Sequence, residues 1–160
     1  MFLGLLIAAL VLVFDQLTKF LMQAYVLNEQ PVIALTPFFN FVYAWNTGVS
    51  FSMFNDGGQG GAVLLCLAAT AIVAALLWWL YREKIPVVRG GLGLIIGGAL
   101  GNVVDRVRFG AVFDFLDFHL AGHHWPAFNL ADSCICIGAV VIIAHSLLYP
   151  EKKTSEENKQ

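Results

Sequence analysis

The sequence predicts an all-α membrane protein, four transmembrane helices carrying a small outward platform that contains strands. Three observations predict it. The 160 residues are 59% hydrophobic and only 12% charged, with a mean hydropathy of +0.75, whereas water-soluble domains of this length are markedly more polar. The apolar residues gather in four runs, at about 3–26, 61–81, 90–110 and 127–149, each near the roughly 20 residues a helix needs to cross the hydrocarbon. The connection 27–60 is long, aromatic and β-branched, so it is read as a platform rather than a plain loop.

The first run, "MFLGLLIAALVLVF", has the apolar core of a signal peptide but no basic leader and no A-x-A site, and it continues into Asp15 and Lys19. It is read as a retained span. Asp15 and Lys19 lie four apart, the spacing and order that favour an ion pair on one helix face. In the following connection, "FFNFVYAWNTGVSFSMF" alternates in part and is bounded by Pro37 and "NDGGQGG", which predicts strands at the membrane surface. Trp45, Trp125 and nearby phenylalanines suit an interfacial belt.

After the second run, "YREKIPVVR" carries Arg82, Lys84 and Arg89, and the tail "EKKTSEENKQ" carries Lys152, Lys153 and Lys159; the other two connections hold no Lys or Arg. The positive-inside rule therefore puts loop 82–89 and both termini in the cytoplasm, and 27–60 and 111–126 outside. Residues 1–150 are read as a single integral-membrane domain and 151–160 as a short polar, disordered tail. Small-xxx-small spacings in "GGLGLIIGGALGN" predict close helix packing in the third span.

Several function classes fall away. A net charge of −2, with basic residues clustered only at the tail, lacks the electrostatic footprint of nucleic-acid binding. Cys66, Cys134 and Cys136 are odd in number, sit in apolar runs and have no C-x-x-C spacing, arguing against disulfides and a metal knuckle. There is no H-E-x-x-H, and His119, His123 and His124 of "HLAGHH" are read as solvated at the interface. There is no G-x-S-x-G, and Ser50, Ser52 and Ser133 have no evident base. No metal or organic cofactor is expected.

What remains is acidic. "GNVVDRVRFGAVFDFLDF", residues 101–118, places Asp105, Asp114 and Asp117 in a chain that otherwise avoids charge. A carboxylate inside a span costs a few kcal/mol on insertion scales, so each needs a partner or a cavity. Asn102, Asp105 and Arg106 share a helix face, as do Asn129, Asp132 and Ser133, and both sets are placed one to two turns inside the outer ends of spans three and four. Asp105 has Arg106 or another cation to hold it. Asp114 and Asp132 have no basic residue at helical spacing and lie near the outer face. If those helix ends adjoin, the two carboxyls can share one proton and one water, as an aspartic protease requires. Spacing leaves Asp105 with Asp132 equally open, and Asp117 can replace Asp114; helix caps or packing groups are the bland alternative. A small transporter or proton-conducting protein is the rival from another class, since intramembrane charges also mark ion pathways.

The motifs "DQLTK", "NTGVSFS", "GGALGNVVDRVRFGAVFDF" and "PAFNLADSCI", in this order on four spans, resemble the lipoprotein signal peptidase (signal peptidase II) family. These are aspartic proteases of the bacterial inner membrane that remove signal peptides from prolipoproteins. The resemblance implies a catalytic dyad of Asp114 and Asp132, and places Asp15, Lys19, Asn46, Gly48, Asn102, Asp105, Arg106, Asn129 and Ala131 around the site or the substrate pocket. It implies four transmembrane helices with an extracytoplasmic β-cradle and a surface-lying helix, no cofactor, and a monomer embedded in membrane lipid. The implied reaction is hydrolysis on the amino side of a lipobox cysteine that carries a diacylglyceryl group, near the outer face. Where the family often has small alanines in "N-x-G-x-A-F-S", this chain has Val49 and Ser50, a difference that bears on pocket shape and substrate preference.

Overall fold

In the computed structural model, which describes residues 1–48 and 59–149, the long apolar runs are helices and the platform is a sheet. The helices are α1 (Phe2–Leu21), extended by a π-helical turn over Met22–Val26, α2 (Gln59–Arg82), α3 (Pro86–Phe109) and α4 (Leu130–Leu148). All four contain a stretch long and apolar enough to cross a membrane. The strands are β1 (Val32–Thr36), β2 (Phe39–Asn46), β3 (Val112–Leu120) and β4 (His123–His124), in spatial order β1-β2-β3-β4 and antiparallel throughout. Val49 and Ser50 lie outside the described residues. Among the described residues no further helix lies beside the sheet.

The bundle inverts the pattern of a water-soluble one. On α1 the inward stripe is Gly4, Ala8, Val11, Asp15 and Lys19, while Leu3, Leu6, Leu10, Phe14, Leu17 and Phe20 are exposed. Lipid solvates the large side chains as well as a protein core does, so small and polar groups take the interior. The central helix is α3, packed against the other three. A Cβ at Gly93 or Gly97 would stand 2.5 Å from the carbonyl oxygen of Gly4 or Ala8 on α1, too close for any side chain. On the opposite face Gly91 and Gly98 meet α4 at Gly138 and Ala131 in the same way. Close helix packing is thus what the glycine spacings encode, on two faces at once.

Three boundaries differ from the sequence reading. The third helix begins at Pro86 rather than near 90, because proline at its first turn lacks only an N–H that would have no partner there. The loop between the second and third helices accordingly shrinks to Glu83–Ile85, where the Glu83 carboxylate accepts from the backbone N–H groups of Lys84 and Ile85. Arg89 moves into the helix and donates from Nε to the Glu83 carbonyl at 2.8 Å. The fourth helix starts at Leu130 rather than 127, because Asn129 caps it: its side chain accepts from the Asp132 N–H while the Asp132 side chain accepts from the Asn129 N–H. Asn129 and Asp132 therefore stand at the mouth of α4, not a turn or two inside.

The third correction is β3. The segment 111–126 was read only as an outward connection, yet it supplies the central strand of the sheet. Val112, Phe113, Asp114 and Phe115 are buried in succession, so the alternation that marks a half-exposed strand is missing. Gly110, at φ 74°, ends α3 in a left-handed cap and turns the chain directly into it. Phe113 and Phe115 pack with Met22 and Leu27, fastening the sheet to the end of α1. In the register Asn40 faces Asp117, Ala44 faces Asp114 and Asn46 faces Val112, with an irregularity between Phe41 and Ala44.

Candidate active site

The acidic residues separate into three environments. Deepest is an ion cluster: Lys19 Nζ lies 2.9 Å from Asp15 Oδ2 and 2.8 Å from Asp105 Oδ2, with all three residues buried. The carboxylates have further donors. Asp15 Oδ1 accepts from the Ala131 N–H in the first turn of α4 at 3.0 Å. Asp105 accepts from the Phe113 N–H at 3.2 Å and from Gln16 Nε2 at 2.9 Å. One ammonium and two carboxylates thereby tie α1 to α3, α4 and the root of β3. The cation that holds Asp105 is Lys19; Arg106 makes no ion pair with it among the described residues.

The second environment holds Asp117. Its carboxylate accepts from Asn40 Nδ2 at 2.8 Å and pairs with His124 Nδ1 at 2.9 Å. Burial alone would push this carboxyl up, but the His124 and Asn40 hydrogen bonds more than offset that and hold it below the usual carboxylate range. Asp114 and Asp117 are three apart on one strand, so their side chains leave opposite faces. The structure keeps Asp117 with the sheet's histidines and away from Asp132.

Asp114 and Asp132 form the third environment, joined through two asparagines. Asn129 Nδ2 donates to Asp114 Oδ1 at 2.7 Å, while its backbone N–H reaches Asp132 Oδ2 at 3.2 Å. Asn102 Nδ2 donates to Asp132 Oδ1 at 2.8 Å, and Asn102 Oδ1 accepts from Asn129 Nδ2 at 3.2 Å and Lys19 Nζ at 3.1 Å. Among the described residues neither aspartate has an ion-pair partner. Burial is the main reason the Asp114 carboxyl is pushed up to about 6 from an ordinary 3.8; the negative charge of Asp132 adds to it, and hydrogen bonds from Asn46 and Asn129 oppose it.

Around this pair lie the remaining expected residues. Asn46, at the end of β2, hydrogen-bonds the Asp114 carboxyl and also accepts from the Gly48 N–H at 2.9 Å. Gly48 has φ 71°, and a Cβ there would come within 3.9 Å of Arg106 Nη2. Arg106 Nε is buried without a hydrogen-bond partner among the described residues. Gln16 was missed from sequence, although its place beside Asp15 in "DQLTK" put a second polar group on the inward edge of α1; it donates to both Asp15 and Asp105. Asn40 was missed for want of any signal, since only strand pairing brings it to Asp117.

Two carboxyls without an ion-pair partner among the described residues, bridged by amides at the junction of α3, α4 and a sheet, have the kind of pairing that aspartic hydrolysis uses. Comparison with known proteins points the same way: residues 7–148 match the family described as Signal peptidase (SPase) II. The chain belongs to the signal peptidase II family. Among its relatives, a lipoprotein signal peptidase of Rhodopseudomonas palustris (strain TIE-1) is 41% identical over 151 residues, covering 91% of this chain and 92% of the relative. One from Coxiella burnetii (strain RSA 493 / Nine Mile phase I) is 42% identical over 150 residues, covering 91% and 90%. A bacterial membrane enzyme solved by the in meso method at 1.9 Å superposes with a TM-score of 0.78 at 29% identity, over 93% of this chain and 94% of that one. As a member of the signal peptidase II family the chain is a multi-pass bacterial membrane protein and an aspartic peptidase, and its helix-and-sheet architecture is shared with solved structures of comparable length.

Proposed function

We propose that this chain removes signal peptides from prolipoproteins by aspartic hydrolysis, with Asp114 and Asp132 as the catalytic pair. The observation that carries the assignment is the partition of the carboxylates. Asp15 and Asp105 are both ion-paired to Lys19 and Asp117 is engaged by His124, which leaves Asp114 and Asp132 as neighbours bridged by Asn129. Burial, which pushes the Asp114 carboxyl up to about 6, favours its neutral form, so within the coupled pair Asp114 is the member to which we assign the shared proton. Asp132, accepting from Asn102 and the Asn129 N–H, is the base. Water gives a proton to Asp132 and attacks the scissile carbonyl carbon, while the Asp114 proton bonds the developing oxyanion. As the tetrahedral intermediate collapses, the C–N bond breaks, the amine takes the proton from Asp132, and a gem-diol proton returns to Asp114.

The bond cut is the one on the amino side of a diacylglyceryl-modified cysteine. The pair sits where α3 and α4 meet the sheet, so acyl chains can remain in lipid while an extended peptide reaches the carboxyls. The basic residues Arg82, Lys84 and Arg89 at the opposite end of α2 and α3 support an orientation with that end and both termini in the cytoplasm and the sheet on the outer face. Purified protein in detergent should cut a diacylglyceryl-modified prolipoprotein and leave the same precursor with an unmodified cysteine intact; no cleavage of the modified precursor overturns the reading.

Asn102 and Asn129 use their hydrogen bonds on each other and on the aspartates. Arg106, with an open buried donor, is the residue of the three placed to orient a substrate carbonyl or the lipid linkage. Arg106→Ala is expected to lower kcat/KM by about 100-fold, the equivalent of about 3 kcal/mol, with a melting temperature near that of the parent. An equally large loss of thermal stability would make Arg106 a packing residue instead.

A further inference from the structure

An ammonium has three donors and no acceptor, so the atom of Asn102 that faces Lys19 Nζ, at 3.1 Å, must be its carbonyl oxygen. That settles the carboxamide's orientation: its NH2 group is turned toward Asp132 Oδ1, 2.8 Å away. The second lone pair of Asn102 Oδ1 accepts from Asn129 Nδ2. The Asn129 carboxamide is fixed independently, because its oxygen accepts the Asp132 N–H as the helix cap, which turns its NH2 group toward Asp114. Among its donors each carboxyl of the pair thus has a carboxamide N–H whose direction is set by a group other than the two carboxyls, Lys19 in one case and the backbone of the α4 N-terminus in the other.

We infer that Lys19 is a positioning residue for hydrolysis, acting through Asn102 to hold the Asp132 carboxylate in its working orientation, in addition to pairing with Asp15 and Asp105. The inference rests on the assignment of Asp114 and Asp132 as the catalytic pair. It explains why a lysine ammonium, rather than a neutral donor, stands at the meeting point of α1 and α3: a hydroxyl or amide there can accept as well as donate and would permit the flipped carboxamide. In that flipped state an oxygen faces the Asp132 carboxylate, and the base keeps only the Asn129 backbone N–H as donor.

Lys19→Met strips the cation from two buried carboxylates, whereas Asn102→Leu keeps both ion pairs and removes the donor to Asp132 together with the oxygen that accepts from Lys19 and Asn129. The other charged groups of the surroundings, Asp15 and Lys19 of α1, Asp105 and Arg106 of α3 and Asp114 of β3, are unchanged in the second variant. Asn102→Leu should fold, keep KM within about threefold, and lose about 100-fold in kcat, the scale of a misplaced catalytic group. The loss should appear in kcat counted per folded molecule, whereas a purely structural asparagine would lower the melting temperature and the active fraction and leave that quantity unchanged. Where Lys19→Met folds, the double variant should be no slower than Asn102→Leu alone, because both lie on one path. Unchanged kcat per folded molecule in Asn102→Leu, full turnover in Lys19→Met, or additive losses in the double variant each overturn the inference. Failure of the underlying assignment is distinguishable, for then Asp114→Asn or Asp132→Asn would itself still cleave.

Discussion

Asp114→Asn and Asp132→Asn are each expected to abolish detectable cleavage of a diacylglyceryl-modified prolipoprotein, with turnover lower by at least about 1,000-fold, because neither general acid nor general base has a substitute in the site. The proteins should nonetheless fold. An asparagine at 114 can still accept from Asn129 Nδ2 through its own carbonyl oxygen, and it removes a carboxyl that burial disfavours in its charged form. The pH dependence follows from the direction of that effect. In the folded state the Asp114 carboxyl holds its proton up to about 6, while in the unfolded chain it releases it near 3.8. Between these values the folded state binds the extra proton, so wild-type stability falls as pH rises through the window and stays lower above it, by at most about 3 kcal/mol. Melting curves in detergent at pH 4 and pH 7.5 should therefore show a larger downward shift for wild type than for Asp114→Asn, leaving the inactive variant the more stable of the two at neutral pH. Retained cleavage in Asp114→Asn would remove it from the catalytic pair, and an equal pH shift in both proteins would show that Asp114 is not the carboxyl that burial strains.

The sequence revealed most where composition and local spacing decide the outcome. Four spans follow from apolar length, and the ion pair of Asp15 with Lys19 follows from a four-residue offset on one helix. Spacing left the partner of Asp132 open, and the reason is visible in β3. Asp105, Asp114 and Asp117 are close in sequence, but a helix end, a left-handed cap at Gly110 and a strand lie between or beneath them. That change of period sends Asp105 to Lys19, Asp114 toward Asn129 and Asp117 to His124. No periodicity could announce the strand, because the sheet and the bundle bury successive residues of it together. The pairing of Asn40 with Asp117 and the crosswise amide bonds of Asn102 and Asn129 are set by tertiary register and by helix capping. The two echoing triplets, Asn102-Asp105-Arg106 and Asn129-Asp132-Ser133, were legible as patterns. Their meaning, one amide for each carboxyl, required the helices to be brought together.

Gly98→Val is expected to unfold the bundle locally and to silence the enzyme without touching any acidic residue. A Cβ on Gly98 would overlap the carbonyl oxygen of Ala131, and it would stand 2.9 Å from the Ile135 side chain. A side chain can swing away, but a backbone carbonyl in the first turn of α4 cannot move without shifting the cap that Asn129 and Asp132 build. Relief therefore comes only from separating α3 from α4, and Asn102 rides on α3 one turn beyond Gly98 while its hydrogen-bond partner Asp132 rides on α4. Overpacking of this kind costs about 3 kcal/mol or more, which for a chain of this size is a melting temperature lower by about 10 °C. Catalytic loss should exceed what the unfolded fraction accounts for, since displacement of a positioned group by about 1 Å costs about 100-fold. Gly90→Val supplies the control on the same helix: its Cβ would meet only the flexible Ile7 Cδ1 at 3.7 Å, so melting and turnover should stay close to wild type. If both valine variants behave alike, the glycines of α3 serve helix flexibility rather than contact. If Gly98→Val alone loses stability and turnover together, the close approach of α3 to α4 is what brings the amides to the carboxyls.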